Sequence, residues 1–316
     1  ESFENNGDLH SKIKEDIKKL TKDEILEILD NEKKLDLMED EKKSKYLKNK
    51  IVSTMFFEAS TRTKLSFESA AQKLGAQILP FDSIASSLSK GESFLDTVRM
   101  LESYADILVI RHPNDGAARL ATEVSNKPVL NAGDGANQHP SQTLLDLYTI
   151  KEEKATLENL TIAFVGDLKY GRTVHSLTKA IIHFNPKKIY FVSPELLKLP
   201  KDLLEELDSN NINYDILDDY RECLHEVDVF YMTRIQKERF PDIEDYEKLR
   251  GIYVINKENI EGKTKEDMII MHPLPRVDEI STDLDNTKHA LYFKQAKNGI
   301  PVRQAMMLRV LNMEVK

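Results

Sequence analysis

Thr161-Ile162-Ala163-Phe164-Val165-Gly166-Asp167-Leu168-Lys169-Tyr170-Gly171-Arg172 is the stretch on which the fold turns. Five apolar or β-branched residues run without polar alternation, then a glycine-bounded polar loop, then helical periodicity. An uninterrupted apolar run of this length fits a strand buried on both faces, as in parallel sheets covered by helices. Further strands of the kind are expected downstream at 188–192, 213–217, 228–232, 253–255 and 268–271. Working upstream, the same texture occurs at 51–57, 76–81, 106–110 and 128–131. Helical stretches separate the runs, so β-α alternation occurs twice. The expected class is α/β, with two doubly wound domains, each a parallel sheet flanked by helices. The boundary falls near 151–159, giving domains of 1–150 and 151–295. A last helical stretch at 302–310 follows the second series. Periodicity does not say which domain it joins; the expectation adopted is that about 296–316 packs back on the first. Residues 11–50 are rich in charge around Ile13, Ile17, Leu20, Ile25 and Leu29, the spacing of amphipathic surface helix rather than of a basic patch.

Composition narrows the function classes. At 316 residues the chain is about twice the common domain size of roughly 150 residues. No apolar run approaches the roughly 18 to 20 residues of a membrane span, and no signal peptide opens the sequence. A single cysteine, Cys223, excludes an intrachain disulfide and a multi-cysteine metal cluster and fits a reducing compartment. The expectation is a soluble, cytoplasmic protein. The sequence opens at Glu1 rather than Met, so a removed organellar leader is the alternative. A net charge of −9 argues against a nucleic-acid surface, which needs a basic field. Anionic small molecules would need arginines gathered locally.

Such arginines lie in strand-to-helix loops, where open α/β sheets bind ligands and helix N-termini present unpaired N–H groups. Phe57-Glu58-Ala59-Ser60-Thr61-Arg62-Thr63 follows a strand and opens a helix that ends at Gly75. Ser60 or Thr61 alone reads as a helix N-cap. Arg62 changes the balance, since a guanidinium at a helix N-terminus is unfavourable unless an anion receives it. The Walker pattern is absent. The second loop, 131–142, leads through glycines to His139-Pro140-Ser141-Gln142, with Pro140 suited to a first helical turn. His139 and Gln142 then face one ligand; a packing or capping role is the bland alternative for the histidine. Arg111 ends another strand, with a surface salt bridge as its alternative.

In the second series the loop 166–172 lacks the GxGxxG of a dinucleotide site, which disfavours a nicotinamide enzyme. Arg172 there, and Arg234 with Gln236 after the strand at 228–232, supply two guanidinium groups that suit a dicarboxylate. For either alone, a structural ion pair serves equally well. His272-Pro273-Leu274-Pro275-Arg276 is too proline-rich for strand or helix and leaves rigid carbonyls able to accept from an amide or ammonium. No second ligand for His272 stands at metal-site spacing.

Together Ser60-Thr61-Arg62-Thr63, His139-Pro140-Ser141-Gln142 and His272–Arg276 resemble the carbamoyltransferases, in particular those that use aspartate. The likeness runs from about residue 51 to the end, through 116–121, 131–142, 165–177, 231–239 and 272–280. Ornithine-using members typically carry a cysteine where this chain has Pro273. The resemblance implies an active site between two domains, the first binding carbamoyl phosphate and the second aspartate. It implies that Ser60, Thr61, Arg62 and Thr63 hold the phosphate, with Arg111 and His139 near the carbonyl oxygen. Gln142 and the Leu274 and Pro275 backbone would hold the carbamoyl amino group, and Arg172, Arg234 and Gln236 the aspartate carboxylates. It also implies that Ser87 and Lys90 enter a neighbouring subunit's site, making a homotrimer, although members often have two lysines where this chain has only Lys90. Catalytic roles fall to Arg62, Thr63, Arg111, His139 and Lys90. The implied reaction gives N-carbamoyl-L-aspartate, an early step of pyrimidine biosynthesis.

Phosphate is a good leaving group, so the chemistry asks for orientation and placed donors rather than a metal, cofactor or covalent nucleophile. Regulatory chains are compatible with the sequence but not legible in it. Three alternatives stand: a carbamoyltransferase for another amine, a noncatalytic relative, and a nucleotide-binding module. The noncatalytic reading expects loss of Arg62, His139 or Gln142, all of which are present.

Overall fold

The computed structural model describes residues 20–83, 86–135, 139–237, 240 and 242–316. The chain divides into two compact units, one running through Tyr148 and taking in Asn298–Lys316, the other spanning Thr149–Lys297. Both are parallel sheets with helices in the crossovers, because strands buried on both faces need a cover on each side.

The first unit has strands β1 (Ile51–Phe56), β2 (Gln77–Asp82), β3 (Ile107–His112) and β4 (Val129–Asp134), in the spatial order β2-β1-β3-β4. Edge strand β2 contains Pro80 and is the least buried of the four, as expected for a residue that cannot donate to a ladder. Met55, Leu108, Ile110 and Val129 pack with Val98, Ala105 and Ala121 of the crossovers into one apolar cluster. The order reverses between β1 and β3, so the chain leaves these neighbours in opposite directions and opens a crevice at their carboxyl ends. The helix Lys22–Leu37 begins with a capping box between Thr21 and Glu24 and buries Ile25, Ile28, Leu29 and Leu35. Its mate is the terminal segment: Arg309 Nη1 reaches Glu27 Oε2 at 2.9 Å, and Tyr46 accepts the Lys316 N–H at 2.9 Å.

The second unit orders its strands β7-β6-β5-β8-β9, with β5 Thr161–Val165, β6 Lys188–Val192, β7 Tyr214–Leu217, β8 Val229–Met232 and β9 Ile269–Met271. The reversal here lies between β5 and β8. Cys223 is fully buried beneath this sheet, and burial pushes its thiol up to about 12, away from thiolate chemistry.

Two expectations are corrected and a third holds where the residues are described. Residues 253–255 form no strand; Ile255 makes one isolated bridge to Ile280. Tyr253 and Ile255 are apolar because they fill the second core, and Asn256 at once caps the next helical turn. The terminal helix starts at Tyr292 rather than 302 and runs through Pro301. The amphipathic stretch is helical at Lys22–Leu37 and Asp40–Lys43, while Ile13 and Ile17 lie outside the described residues. No helix among the described residues is long and apolar enough to cross a membrane.

Candidate functional site

In the first unit the crevice is lined from three neighbouring strands. After β1 the helix Thr61–Lys73 begins at Ser60, which holds the N-cap position in extended backbone yet makes no side-chain cap bond. No acid stands in its first turn, and the first intrahelical bond joins the Lys64 N–H to the Ser60 carbonyl at 3.2 Å. An N-terminus without a carboxylate keeps its partial positive charge for a ligand. Thr61 and Arg62 are exposed and Thr63 is buried. Arg111 lies within β3, in register with Phe56, and is only 8% exposed. Its Nη1 donates to the Ala132 carbonyl at 3.3 Å, and Nη2 stands 3.0 Å from Glu58 Oε2, an ion pair by distance without hydrogen-bond alignment. Its Nε is buried with no hydrogen-bond partner. Burial draws this guanidinium down from its ordinary range, against the opposing charge of Glu58. A buried donor without an acceptor is costly.

The third wall follows β4. Asp134 accepts from Asn131 Nδ2 at 3.0 Å and the Gly116 N–H at 2.9 Å, tying this turn to the one after β3. His139 is buried, accepts the Gln142 N–H on its carbonyl at 2.9 Å, and lies 3.4 Å through Nδ1 from Ser141 Oγ. Gln142 donates down its helix to Asp146 Oδ1 at 2.9 Å. The glycine-loop residues 136–138 lie outside the described residues. Ser87 and Lys90 sit exposed in a short 3-10 turn after β2 that ends at Gly91; residues 84–85 of that loop are outside the described set.

In the second unit two loops meet across the reversal. Gly166, at φ +116°, lies so close to Thr233 that a Cβ would stand 2.2 Å from its carbonyl oxygen. The Thr233 hydroxyl accepts the Asp167 N–H at 3.0 Å. Asp167 is fully buried, accepts the Tyr170 N–H at 2.9 Å and takes Gln236 Nε2 at 3.4 Å. Burial raises its carboxyl, against those N–H donors. Asp167 thereby fixes the loop of Arg172 against that of Arg234 and Gln236. Arg172 opens the helix Arg172–Ile181 with no acid in the first turn, and both arginines are partly buried. Gln236 also donates to the Tyr170 carbonyl at 3.4 Å, so part of its amide is used within the loop.

His272 is a residue whose role was not legible. Its Nδ1 accepts the Leu274 N–H at 2.8 Å and its Nε2 lies 2.8 Å from Glu279 Oε1. An acceptor at Nδ1 leaves the proton on Nε2, which donates to the carboxylate. Both nitrogens are therefore occupied, which leaves none for a metal. Burial lowers the His272 imidazole, with Glu279 opposing. Burial tends to raise the Glu279 carboxyl, but the bond from His272 and the backbone N–H groups of its turn outweigh it and hold it low. The pair holds Leu274 in the left-handed region, φ 55°, before the cis Leu274–Pro275 bond. Arg276 is committed to Asp285, through Nη2 at 2.6 Å, and to the Tyr292 hydroxyl.

Two family models match consecutive parts of the chain. Residues 15–152 match the carbamoyl-P binding domain, and 158–310 the Asp/Orn binding domain, of aspartate/ornithine carbamoyltransferase. The aspartate carbamoyltransferase catalytic subunit of Brachyspira hyodysenteriae is 55% identical over 292 residues, covering 92% of this chain and 81% of its own length. Among solved structures, the catalytic subunit of M. jannaschii aspartate transcarbamoylase superposes with TM-score 0.87 at 52% identity over 94% of this chain and 96% of its own. The Trypanosoma cruzi aspartate transcarbamoylase in complex with carbamoyl phosphate and aspartate gives TM-score 0.85 at 38% identity, over 91% and 93%. The fold and its two arginine-lined crevices define a two-domain α/β transferase scaffold. The chain belongs to the aspartate/ornithine carbamoyltransferase family.

Two outcomes are expected from this geometry. Gly166→Ala puts a methyl against backbone at positive φ and should destabilise the second unit by more than about 2 kcal/mol in urea unfolding; an unchanged midpoint would mean the two loops do not approach. His272 has its folded pKa below the ordinary 6.5, so the unfolded chain takes up a proton the folded one refuses. Stability is then complete above about pH 6.5 and falls as the pH drops below it, by up to about 1.4 kcal/mol per pH unit. His272→Gln should flatten the pH 5.0 to 6.5 limb; an equally steep limb would place the titration elsewhere.

Proposed function

We infer that this chain transfers the carbamoyl group of carbamoyl phosphate to the amine of L-aspartate, giving N-carbamoyl-L-aspartate and phosphate. The observation that carries this reading is that each unit presents arginine at its own topological switch point, Arg62 and Arg111 in the first, Arg172 and Arg234 in the second. The first set faces an uncapped helix N-terminus, the chemistry of a phosphate site. The second is a pair of guanidinium groups for two carboxylates. The likeness to enzymes solved with both substrates supports the pairing.

In the proposed assignment Ser60, Thr61, Arg62 and Thr63 hold the phosphate, while Thr63, Arg111 and His139 donate to the carbonyl oxygen as it gains charge. Gln142 and the Leu274 and Pro275 carbonyls bind the carbamoyl NH2, and Arg172, Arg234 and Gln236 bind aspartate. The aspartate amine adds to the carbonyl carbon, the carbon–oxygen bond to phosphate breaks, and the departing phosphate takes the amine proton. Ser87 and Lys90 complete the site of a neighbouring copy, so the working unit is a homotrimer in a reducing, cytoplasmic setting. The exposed position of that turn and the single buried thiol support these two points.

Ureido-product formation with L-aspartate, run beside L-ornithine, tests the reading. Turnover should be confined to aspartate; preference for ornithine would overturn the substrate assignment. Arg62→Ala should lower kcat by about 100-fold or more, the scale of removing one donor to developing charge. Arg234→Ala should raise KM for aspartate by roughly 100-fold while leaving carbamoyl phosphate binding intact, and equal damage to both ligands would contradict the division of labour.

A further inference from the structure

We propose that Arg303 is a positioning residue for the anion-binding edge of the first unit, joining its two ligand-facing helices and supplying a buried positive charge that a bound phosphate offsets. The proposal rests on reading that edge as the phosphate site. Arg303 stands in the helix Tyr292–Val310 and is 3% exposed. Its Nη1 donates to Ser66 Oγ at 2.9 Å and its Nη2 to Ser141 Oγ at 3.3 Å, and its guanidinium lies 4.9 Å above the Phe67 ring. Ser66 is three residues along the same helix from Thr63, hence on the same face. Ser141 is the hydroxyl that touches His139 Nδ1. One rigid fork thus spans the helix that begins at Thr61 and the helix that follows His139.

Its lack of a counter-ion is the unusual feature. Buried arginines are ordinarily matched by carboxylates; among the described residues this one has two neutral hydroxyls, a ring face, and an Nε with no partner. Burial pushes it down to about 9, so it stays charged at neutral pH. Room is made for it by Gly299, one turn earlier, where a Cβ would stand 2.0 Å from Arg303 Nη1. Glycine inside a helix is about 1 kcal/mol worse than alanine, and here a larger residue would expel the guanidinium from its seat. Structural stability alone would favour an apolar side chain at 303 and alanine at 299. The combination present instead keeps an uncompensated cation behind the helix ends that receive an anion.

The test uses the full chain and two variants, Arg303→Met and Gly299→Ala, the second of which leaves the arginine in place but displaces its tip. Inorganic phosphate and carbamoyl phosphate are the probes, read by the ligand-induced shift in Tm and by steady-state kinetics. The expected result is a phosphate-induced shift at least halved in both variants and a KM for carbamoyl phosphate raised about tenfold. KM for aspartate at saturating carbamoyl phosphate should stay unchanged, and the unliganded Tm should not fall in Gly299→Ala. A merely structural arginine would lower the unliganded Tm and leave the phosphate shift intact, and that outcome overturns the proposal. Should Arg303→Met fail to fold, Gly299→Ala decides alone. No phosphate response in the unaltered protein would sink the anion-site reading and this proposal with it. A normal response that survives both variants would sink the proposal only.

Discussion

Everything that can bind a ligand in this protein depends on where a parallel sheet reverses its strand order. Right-handed crossovers send the chain to opposite faces of the sheet on either side of that point, so the loops after the two central strands diverge instead of covering each other. The first unit does this between β1 and β3, the second between β5 and β8. Each crevice receives the start of a helix, Thr61–Lys73 or Arg172–Ile181, and neither first turn carries an acid. Backbone topology thus brings two helix N-termini without acids to the strand ends of a chain whose net charge is −9.

Charge pairing differs between the surface and the buried arginines. Surface lysines find carboxylates, as Lys73 does with Asp40 at 3.2 Å and Lys45 with Glu41 at 3.2 Å; such exposed pairs contribute little stability. Arg111 and Arg303 are handled differently. Among the described residues one has a poorly aligned carboxylate and a backbone carbonyl and the other two hydroxyls and a ring face, and both are desolvated. A charge taken out of water and left partly unmatched interacts more strongly with whatever anion arrives. In the second unit a buried acid, Asp167, serves as a brace, accepting N–H groups from both loops so that the arginines beside it keep their direction.

Rigidity is supplied the same way at the third segment. His272, neutral and doubly hydrogen-bonded, fixes the Leu274 backbone in a conformation that a leucine rarely adopts. The backbone of this proline-rich segment is thereby held in place without regular secondary structure.

The sequence by itself determined the class of fold, because uninterrupted apolar runs such as Thr161–Val165 can only be satisfied by burial on both faces. It also singled out the arginines of the strand-to-helix loops, since a guanidinium there is a local signal. It did not determine where the terminal helix begins, at Tyr292 rather than 302, nor residues 253–255, whose apolar character serves core filling rather than pairing. The pairings that support these segments were out of reach, even where the residues themselves stood in marked segments. Asp167 with Gln236, His272 with Glu279, and Arg303 with Ser66 and Ser141 are separated by 69, 7, 237 and 162 positions, and nothing in the local sequence says which of them bond to each other. Their function exists only once the sheet crossovers bring distant segments within hydrogen-bond distance, so only the tertiary structure could decide it.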